Sequence, residues 1–344
     1  MELTIGLDIA KTFFQVHAVD AAGAVIARKM LRRSQVLPFF AELGPSLVGM
    51  EACATAHHWA REIAKLGHTV RLMPANYVKP YVKRGKNDAN DAEAICEAVT
   101  RPTMRFVAVK SRDQQAILSV HRIRELLVKQ RTQLVNMTRG LLGEFGVDVP
   151  IGLQNAMRFA RNVIDGATLD LPREAMECVE LLSRQTIDLH IKILQAERAM
   201  RRWHRHSEAS QRLAQIPGVG PIGAIALVAS ITDPHQFKTG RELAAWIGLT
   251  PRQNSSGGKE RLGGINKMGD RYLRKLLFLG SLSALKYSKK RQENFAPRAL
   301  DLLERKPVRL AAIALANRTA RVVWAMLSRG EAYRTNHIPA VVAA

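Results

Sequence analysis

Leu3-Thr4-Ile5-Gly6-Leu7-Asp8-Ile9-Ala10-Lys11 is the stretch on which the fold turns. A short apolar run of this kind predicts a buried strand, here with an aspartate near its end and a lysine just beyond it. Phe13–Val19 and Ala24–Lys29 follow as two more strand-length segments, separated by the turn Asp20-Ala21-Ala22-Gly23. Leu47–Met50 predicts another buried strand, ending at Glu51. Ala56–Lys65 predicts a helix stopped by Gly67, and Val70–Met73 the next strand. Asn76–Lys83 and Ala89–Val99 are expected to be helical.

Three strands in a meander, then strand–helix alternation, is the element order of an RNase H-like α/β domain, expected over residues 1–110. From Ser111 to Phe145, apolar residues recur at Ile117, Val120, Ile123, Leu126, Leu127, Leu134 and Met137. That spacing predicts one long amphipathic helix, with Gly140, Gly143 and Gly146 at its fraying end. Residues 147–170 show little periodicity and are expected to be irregular. A second long helix is expected from Pro172 to about Arg212, with Val179, Leu182, Ile187, Ile191, Leu194 and Ala199 on one stripe. The two helices of region 111–212 form either an antiparallel coiled-coil arm for dimerisation or a bundle core within one protomer. Residues 213–330 are expected to be an all-α module, and 331–344 a tail.

Composition narrows the function. With 47% apolar and 24% charged residues in 344, the chain has material for a real core, which excludes disorder throughout. No window reaches the ~18 uncharged apolar residues of a transmembrane span, and the N-terminus lacks the features of a signal peptide. Cys53, Cys96 and Cys178 are far apart with no CxxC pair. A disulfide framework or cysteine–zinc site is therefore not expected, and a reducing cytoplasm fits. Fifty-two Lys and Arg against 30 Asp and Glu give a net charge of +22. Residues 1–110 hold 15 basic and 10 acidic side chains, and residues 252–334 alone hold 19 and 6. So one-sided a field points to a polyanionic partner, a nucleic acid.

Four acids of the first domain stand out. Asp8 and Glu51 end strands, and Asp88 and Asp91 are three apart at a helix start, on one face. Converging carboxylates repel one another unless cations neutralise them, and hard oxygen ligands suit Mg²⁺. A pair of such ions is a usual apparatus for phosphodiester displacement. Taken singly, Asp88 is most simply an N-cap and Glu51 a strand-end acid. Lys11 is either a phosphate ligand beside that site or a solvated turn residue. Ile216-Pro217-Gly218-Val219-Gly220 resembles the hairpin of helix-hairpin-helix modules, whose glycines let the backbone approach a phosphate; the alternative is an ordinary inter-helix turn. Ser255 and Ser256 lie in a glycine-rich loop with Lys259, Arg261, Lys267 and Arg271 around it. A serine attacking phosphorus needs such charge, although most serine–glycine loops are only loops. His57 and His58 read as helix surface or core rather than metal ligands.

Together these stretches resemble a known family. Gly6-Leu7-Asp8-Ile9-Ala10-Lys11, Glu51-Ala52 and Lys86-Asn87-Asp88-Ala89-Asn90-Asp91-Ala92 resemble the DEDD signature of one insertion-sequence transposase family. That family includes the pilin-gene DNA invertases and the bridge-RNA-guided recombinases. Ile216-Pro217-Gly218-Val219-Gly220, Phe237, the run Leu243–Arg252 and Ser256-Gly257 continue the resemblance in the right order.

The resemblance implies a RuvC-like first domain with Asp8, Glu51, Asp88 and Asp91 holding Mg²⁺. It implies a serine nucleophile at Ser256, a covalent phosphoserine intermediate, and one composite site made by both domains. It also implies dimers assembling to a tetramer, strand exchange through a Holliday-junction-like state, and a structured bridge RNA pairing with donor and target DNA. Lys11, Gly218, Gly220, Lys259, Arg261, Lys267 and Arg271 are the expected nucleic-acid contacts. The expected location is the bacterial cytoplasm, at the nucleoid during action, with no membrane partner. The rivals are a metal-only Holliday-junction resolvase and a non-catalytic nucleic-acid-binding protein.

Overall fold

The computed structural model describes residues 3–83, 87–254, 261–291 and 303–334. They belong to two compact units, Met1–Ser111 and Arg112–Ala344. The first unit is built on five strands: β1 (Thr4–Ile9), β2 (Phe13–Val19), β3 (Val25–Arg32), β4 (Leu47–Glu51) and β5 (Thr69–Met73). They lie in the order β3-β2-β1-β4-β5. The β1–β2 and β2–β3 pairs are antiparallel; β1–β4 and β4–β5 are parallel. Helix α1 (Val36–Ala41), which the sequence reading did not anticipate, leads into β4, and α2 (Ala56–Lys65) carries the crossover to β5.

Strand alternation sorts the side chains onto two faces. Ile5, Leu7, Phe14, Val16, Val48 and Met50 face one way and pack with Val36 and Phe40 of α1 and Trp59, Ala60 and Ile63 of α2. On the other face Gly6 and Gly49 stand side by side in the β1–β4 register. Their missing side chains leave a trough for α4 (Asp88–Val99), which follows the short helix α3 (Ala75–Val78). A Cβ on Gly6 would lie 2.0 Å from the Ala92 carbonyl oxygen, and one on Gly49 2.7 Å from Cβ of Val99. The helix expected over Asn76–Lys83 is instead α3 plus a 3₁₀ turn, Lys79–Tyr81. Pro80, without an N–H, falls in that turn, where an α-helix could not continue undisturbed.

The second unit contains α5 (Arg112–Gly143), α6 (Leu153–Ile164), α7 (Arg173–His206), α8 (Glu208–Leu213), α9 (Pro221–Ser230) and α10 (Gly240–Ile247). A two-stranded hairpin, β6 (Pro251–Gln253) and β7 (Leu262–Ile265), precedes α11 (Arg271–Arg291) and α12 (Val308–Arg329). Helices α5 and α7 are antiparallel. Ile117 clusters with Met200 at one end, Leu142 with Val179 at the other, and Arg124 binds Glu197 between them. Ile225 and Ala229 of α9 join the first cluster, so that end of the pair is bundle core. Helix α12 has the length and hydropathy of a membrane span, yet Ala312, Leu315, Ala316, Ala320 and Val323 are buried in protein cores.

Three expectations are corrected here. The segment 147–170 is not irregular throughout, because Ala156, Ala160 and Val163 form the buried stripe of α6. The second long helix stops at His206. Ser207 then caps α8, its hydroxyl accepting from the Ser210 N–H. The last module is not all-α, since the β6–β7 hairpin interrupts it.

A buried histidine links α5 to α11. His121 is 1% exposed, its Nδ1 lies 2.9 Å from the Tyr272 hydroxyl, and its Nε2 has no hydrogen-bond partner among the described residues. Burial, followed by the nearby Arg124, pushes His121 down to about 4. Because the folded value lies below the unfolded one, stability is fully present above about 6.5 and falls as pH drops toward 4. His121→Leu should flatten that pH dependence in urea titrations. At the trough, Gly6→Ala should destabilise the protein by ~1–3 kcal/mol or more through overpacking. Gly44→Ala, where a Cβ meets nothing within 4 Å, should stay near wild type in the same measurement.

Candidate functional site

Leu7 and Met50 are paired across the parallel β1–β4 junction, so Asp8 and Glu51 emerge together at one edge of the sheet. Both lie on the face that carries the Gly6–Gly49 trough. Helix α4 begins at that edge. Asn87, not Asp88, is its N-cap, with the side-chain oxygen accepting from the Ala89 N–H at 3.0 Å. Asp88 is thereby left as the first residue of the helix, free of a capping role, and Asp91 follows one turn on. Asp8, Asp88 and Asp91 each offer a carboxylate oxygen, and these oxygens lie within 4.8 Å of one another. Glu51 is outside that tight group but close enough to act on Asp8 electrostatically.

The electrostatics record the crowding. Burial, then Asp91, Asp88 and Glu51, push the Asp8 carboxyl up to about 6; only a hydrogen bond from the Ile9 backbone opposes this. Burial and Asp91 raise Glu51 as well. The segment after Glu51 turns sharply: Thr55 has φ 72, one of two non-glycine residues in the left-handed region among those described. Cys53 lies in this turn, its thiol raised by burial and then by Glu51 and Asp8. Three clustered carboxylate oxygens, one of them on an acid whose carboxyl is raised by its neighbours, fit a divalent cation. Lys11 is exposed in the β1–β2 turn at the same end. His57 is engaged elsewhere. Its Nδ1 accepts from the Lys110 backbone N–H at 3.2 Å, and burial with Lys110 and Arg61 lowers it to about 4.

In the second unit the Ile216–Gly220 segment connects α8 to α9. Gly218 (φ 86) owes its identity to packing, since a Cβ there would lie 2.7 Å from the Gly280 carbonyl oxygen on α11. Gly220 is the N-cap of α9, and a Cβ there would meet nothing within 4 Å, so packing does not explain this second glycine. The start of α11 and the loop before it are seated on the end of α10. Arg274 donates to the Ile247 carbonyl at 2.7 Å, and a Cβ on Gly269 would lie 1.8 Å from that of Trp246. The sequence reading missed Arg274, whose only signal was one more arginine in a basic stretch. Arg261, Lys267 and Arg271 are exposed along the hairpin and at the start of α11. Ser255, Ser256 and Lys259 lie outside the described residues, between the ends of β6 and β7.

Residues 5–146 match a family model described as a transposase of the DEDD type, and residues 210–296 one described as the transposase IS116/IS110/IS902 family. A probable family 20 transposase of Pseudomonas aeruginosa is 48% identical over 96% of this chain and 98% of its own length. The transposase of insertion sequence element IS1111A from Coxiella burnetii is 39% identical over 96% of this chain and 91% of its own. That of IS1328 from Yersinia enterocolitica is 36% identical over 96% and 98%. The chain belongs to the IS110-type family of DEDD insertion-sequence transposases, and it is therefore a DNA transposase or recombinase.

The acid cluster sets a measurable balance. The raised Asp8 carboxyl stabilises the metal-free fold below its unfolded value, and that contribution is lost as pH rises through about 6. At pH 7.5 and without metal, Asp8→Asn should therefore melt higher than wild type. Added Mg²⁺ should raise the melting temperature of wild type and leave that of Asp8→Asn nearly unchanged.

Proposed function

We propose that the chain cuts and rejoins DNA strands for an insertion sequence, through a Mg²⁺-dependent RuvC-like site and a serine–DNA covalent intermediate. The observation that carries the metal half is the meeting of Asp8, Asp88 and Asp91 oxygens within 4.8 Å at a sheet edge that also bears Glu51. The sheet order β3-β2-β1-β4-β5, with one antiparallel meander and two parallel pairs, supports the RNase H-like assignment. Mg²⁺ bound to these four acids would polarise a phosphodiester and neutralise charge on the displaced oxygen. The chain's own groups do the rest. The acids hold the cation in place, Gly6 and Gly49 fix α4 so that Asp88 and Asp91 reach Asp8, and Lys11 binds a phosphate oxygen.

The serine half rests on the resemblance and on the hairpin. Ser256 would attack phosphorus to form the phosphoserine bond while the leaving strand departs with its oxygen. Arg261, Lys267, Arg271 and Lys259 would balance the developing charge. Asn254 N–H donating to the Arg261 carbonyl at 2.9 Å pins the two ends of the loop that carries Ser256. In this reading the domains are 1–110 catalytic, 111–212 long-helix, and 213–330 serine-bearing, with 331–344 a tail. Dimers form through α5 and α7, supported by Leu126, Met137, Leu181 and Ile191, whose large apolar side chains are exposed there, and pair into a tetramer. The concentrated positive charge fits a structured bridge RNA together with donor and target DNA. The site of action is the cytoplasm, at the nucleoid.

The test is trapping of a covalent protein–DNA adduct on labelled substrate with the element's RNA and Mg²⁺. Ser256→Ala should eliminate the adduct, Ser255→Ala should lower it modestly at most, and Asp8→Ala should stop cleavage while binding persists. Wild-type adduct yield from Ser256→Ala would overturn the serine assignment in favour of metal-only resolution. Mixing Asp8→Ala with Ser256→Ala protomers should restore some activity where a site is shared between subunits.

A further inference from the structure

The face of the sheet that carries Asp8 continues beyond α4. Register carries it across the meander: Asp8 opposes Gln15, and Gln15 opposes Met30, while Phe13 opposes Arg32 one step nearer the sheet edge. Alternation places Asp8, Phe13, Gln15, Met30 and Arg32 on this one face. Its inner part is covered by α4, where Gly6 meets Ala92. Its outer part is bare: Met30 is 65% exposed and Phe13 39%, and both flank an exposed arginine. An open depression lined by Thr12, Phe13, Arg32, Arg33 and Ser34 lies at this end of β2 and β3. Arg33 is turned to the opposite face, its guanidinium 5.1 Å from the centre of the Trp59 ring, so Arg32 is the cation beside Phe13 and Met30.

An exposed aromatic and a flexible thioether beside Arg32, a guanidinium with no ion pair among the described residues, is the chemistry of a single-strand platform. Bases stack on the ring while guanidinium groups take the phosphates. An apolar protein surface would fit Phe13 and Met30 but would leave Arg32 without a counter-charge. The distance also fits. Strand β3 lies two spacings from β1, ~10 Å away, which is about three nucleotides of rise. We propose that Phe13, Met30 and Arg32 form a subsite for an unpaired nucleic-acid strand, about three nucleotides from the phosphate that the acid cluster handles. The subsite rests on the catalytic reading above. It adds the reason for the position of the acids: the strand is held on one side of the cluster by base stacking and phosphate pairing, so the reacting phosphate arrives in register.

Photocrosslinking of the full chain tests this directly, using 5-iododeoxyuridine placed along a 20-nucleotide single-stranded DNA probe, its RNA counterpart with 5-iodouridine, and a blunt duplex. Mass spectrometry should find the Phe13-containing peptide crosslinked to at least one of the single-stranded probes and much less to the duplex. The DNA and RNA arms identify which strand the subsite prefers. Phe13→Ala should lose that crosslink and bind the preferred probe at least fivefold more weakly, the lower end of what one base stack contributes. Arg32→Ala should lower the slope of log K against log salt by about 0.7, one phosphate contact, whereas Phe13→Ala should leave the slope unchanged. Asp8→Asn should keep the crosslink while abolishing cleavage, so loss of the crosslink sinks the subsite and undiminished cleavage by Asp8→Asn sinks the metal reading separately. Equal crosslinking to the duplex would overturn the proposal. So would a Phe13→Ala variant that melts several degrees lower but binds the probe as wild type does, since Phe13 would then be packing residue rather than platform.

Discussion

Two glycines facing each other across a parallel strand pair are the constraint on which the first unit's chemistry depends. Gly6 and Gly49 are register partners, and neither position has room for a methyl group. Ordinary strand residues there would hold α4 away from the sheet, and the first turn of α4 would then carry Asp88 and Asp91 away from Asp8. Close approach of helix to sheet is therefore also close approach of acid to acid. The same contact that buries Ala92, Ile95 and Val99 assembles the carboxylate cluster, so fold and site cannot be relaxed independently.

The cluster opposes the fold that builds it. Burial and three neighbouring carboxylates bring Asp8 to about 6, so the metal-free protein near neutral pH keeps an unfavourable charge at the sheet edge. A domain selected for stability alone would place a lysine among these acids, and a fixed ammonium would then occupy the position of an exchangeable cation. The raised carboxyl marks this cluster off from a structural ion pair, which lowers a carboxylate. The contrast with Glu93 in the same unit is direct: Lys83 lies 2.5 Å from it and its carboxyl is lowered.

The elements that proved legible in the sequence were those whose signal is local. Strand runs ending in acids gave Asp8 and Glu51, and heptad-like spacing gave α5 and most of α7. Helix α6 was missed although Ala156, Met157, Ala160 and Val163 form a buried stripe, because turn residues on either side of it, Gly152 and Gly166, dominated the reading of so short a segment. The stop at His206 was missed because Ser207 acts through a side-chain cap that apolar periodicity does not register. Gly218 looked like a phosphate-approach glycine, and only the proximity of Gly280, 62 positions later, shows that packing already explains it. Long-range contacts of this kind leave no trace in a segment read by itself. The same holds for Arg274, whose partners are the Ile247 and Gly269 carbonyls.

Charge is divided between the units in a way that bears on the order of events. The acids that would hold a cation belong to a unit of low net charge, while the strongly basic stretch 252–334 belongs to the other. On the proposed reading a polyanion is drawn first to the basic unit, since uncompensated carboxylates at the sheet edge repel phosphate. Cation binding at the acids would then remove that repulsion. The bare outer face with Phe13 and Arg32 then has a distinct part to play, since it offers the approaching strand an attractive surface beside the acids even before the cation is bound. Capture by the basic unit and placement by the sheet face are separable steps with different physical signatures, a salt-dependent one and a stacking one.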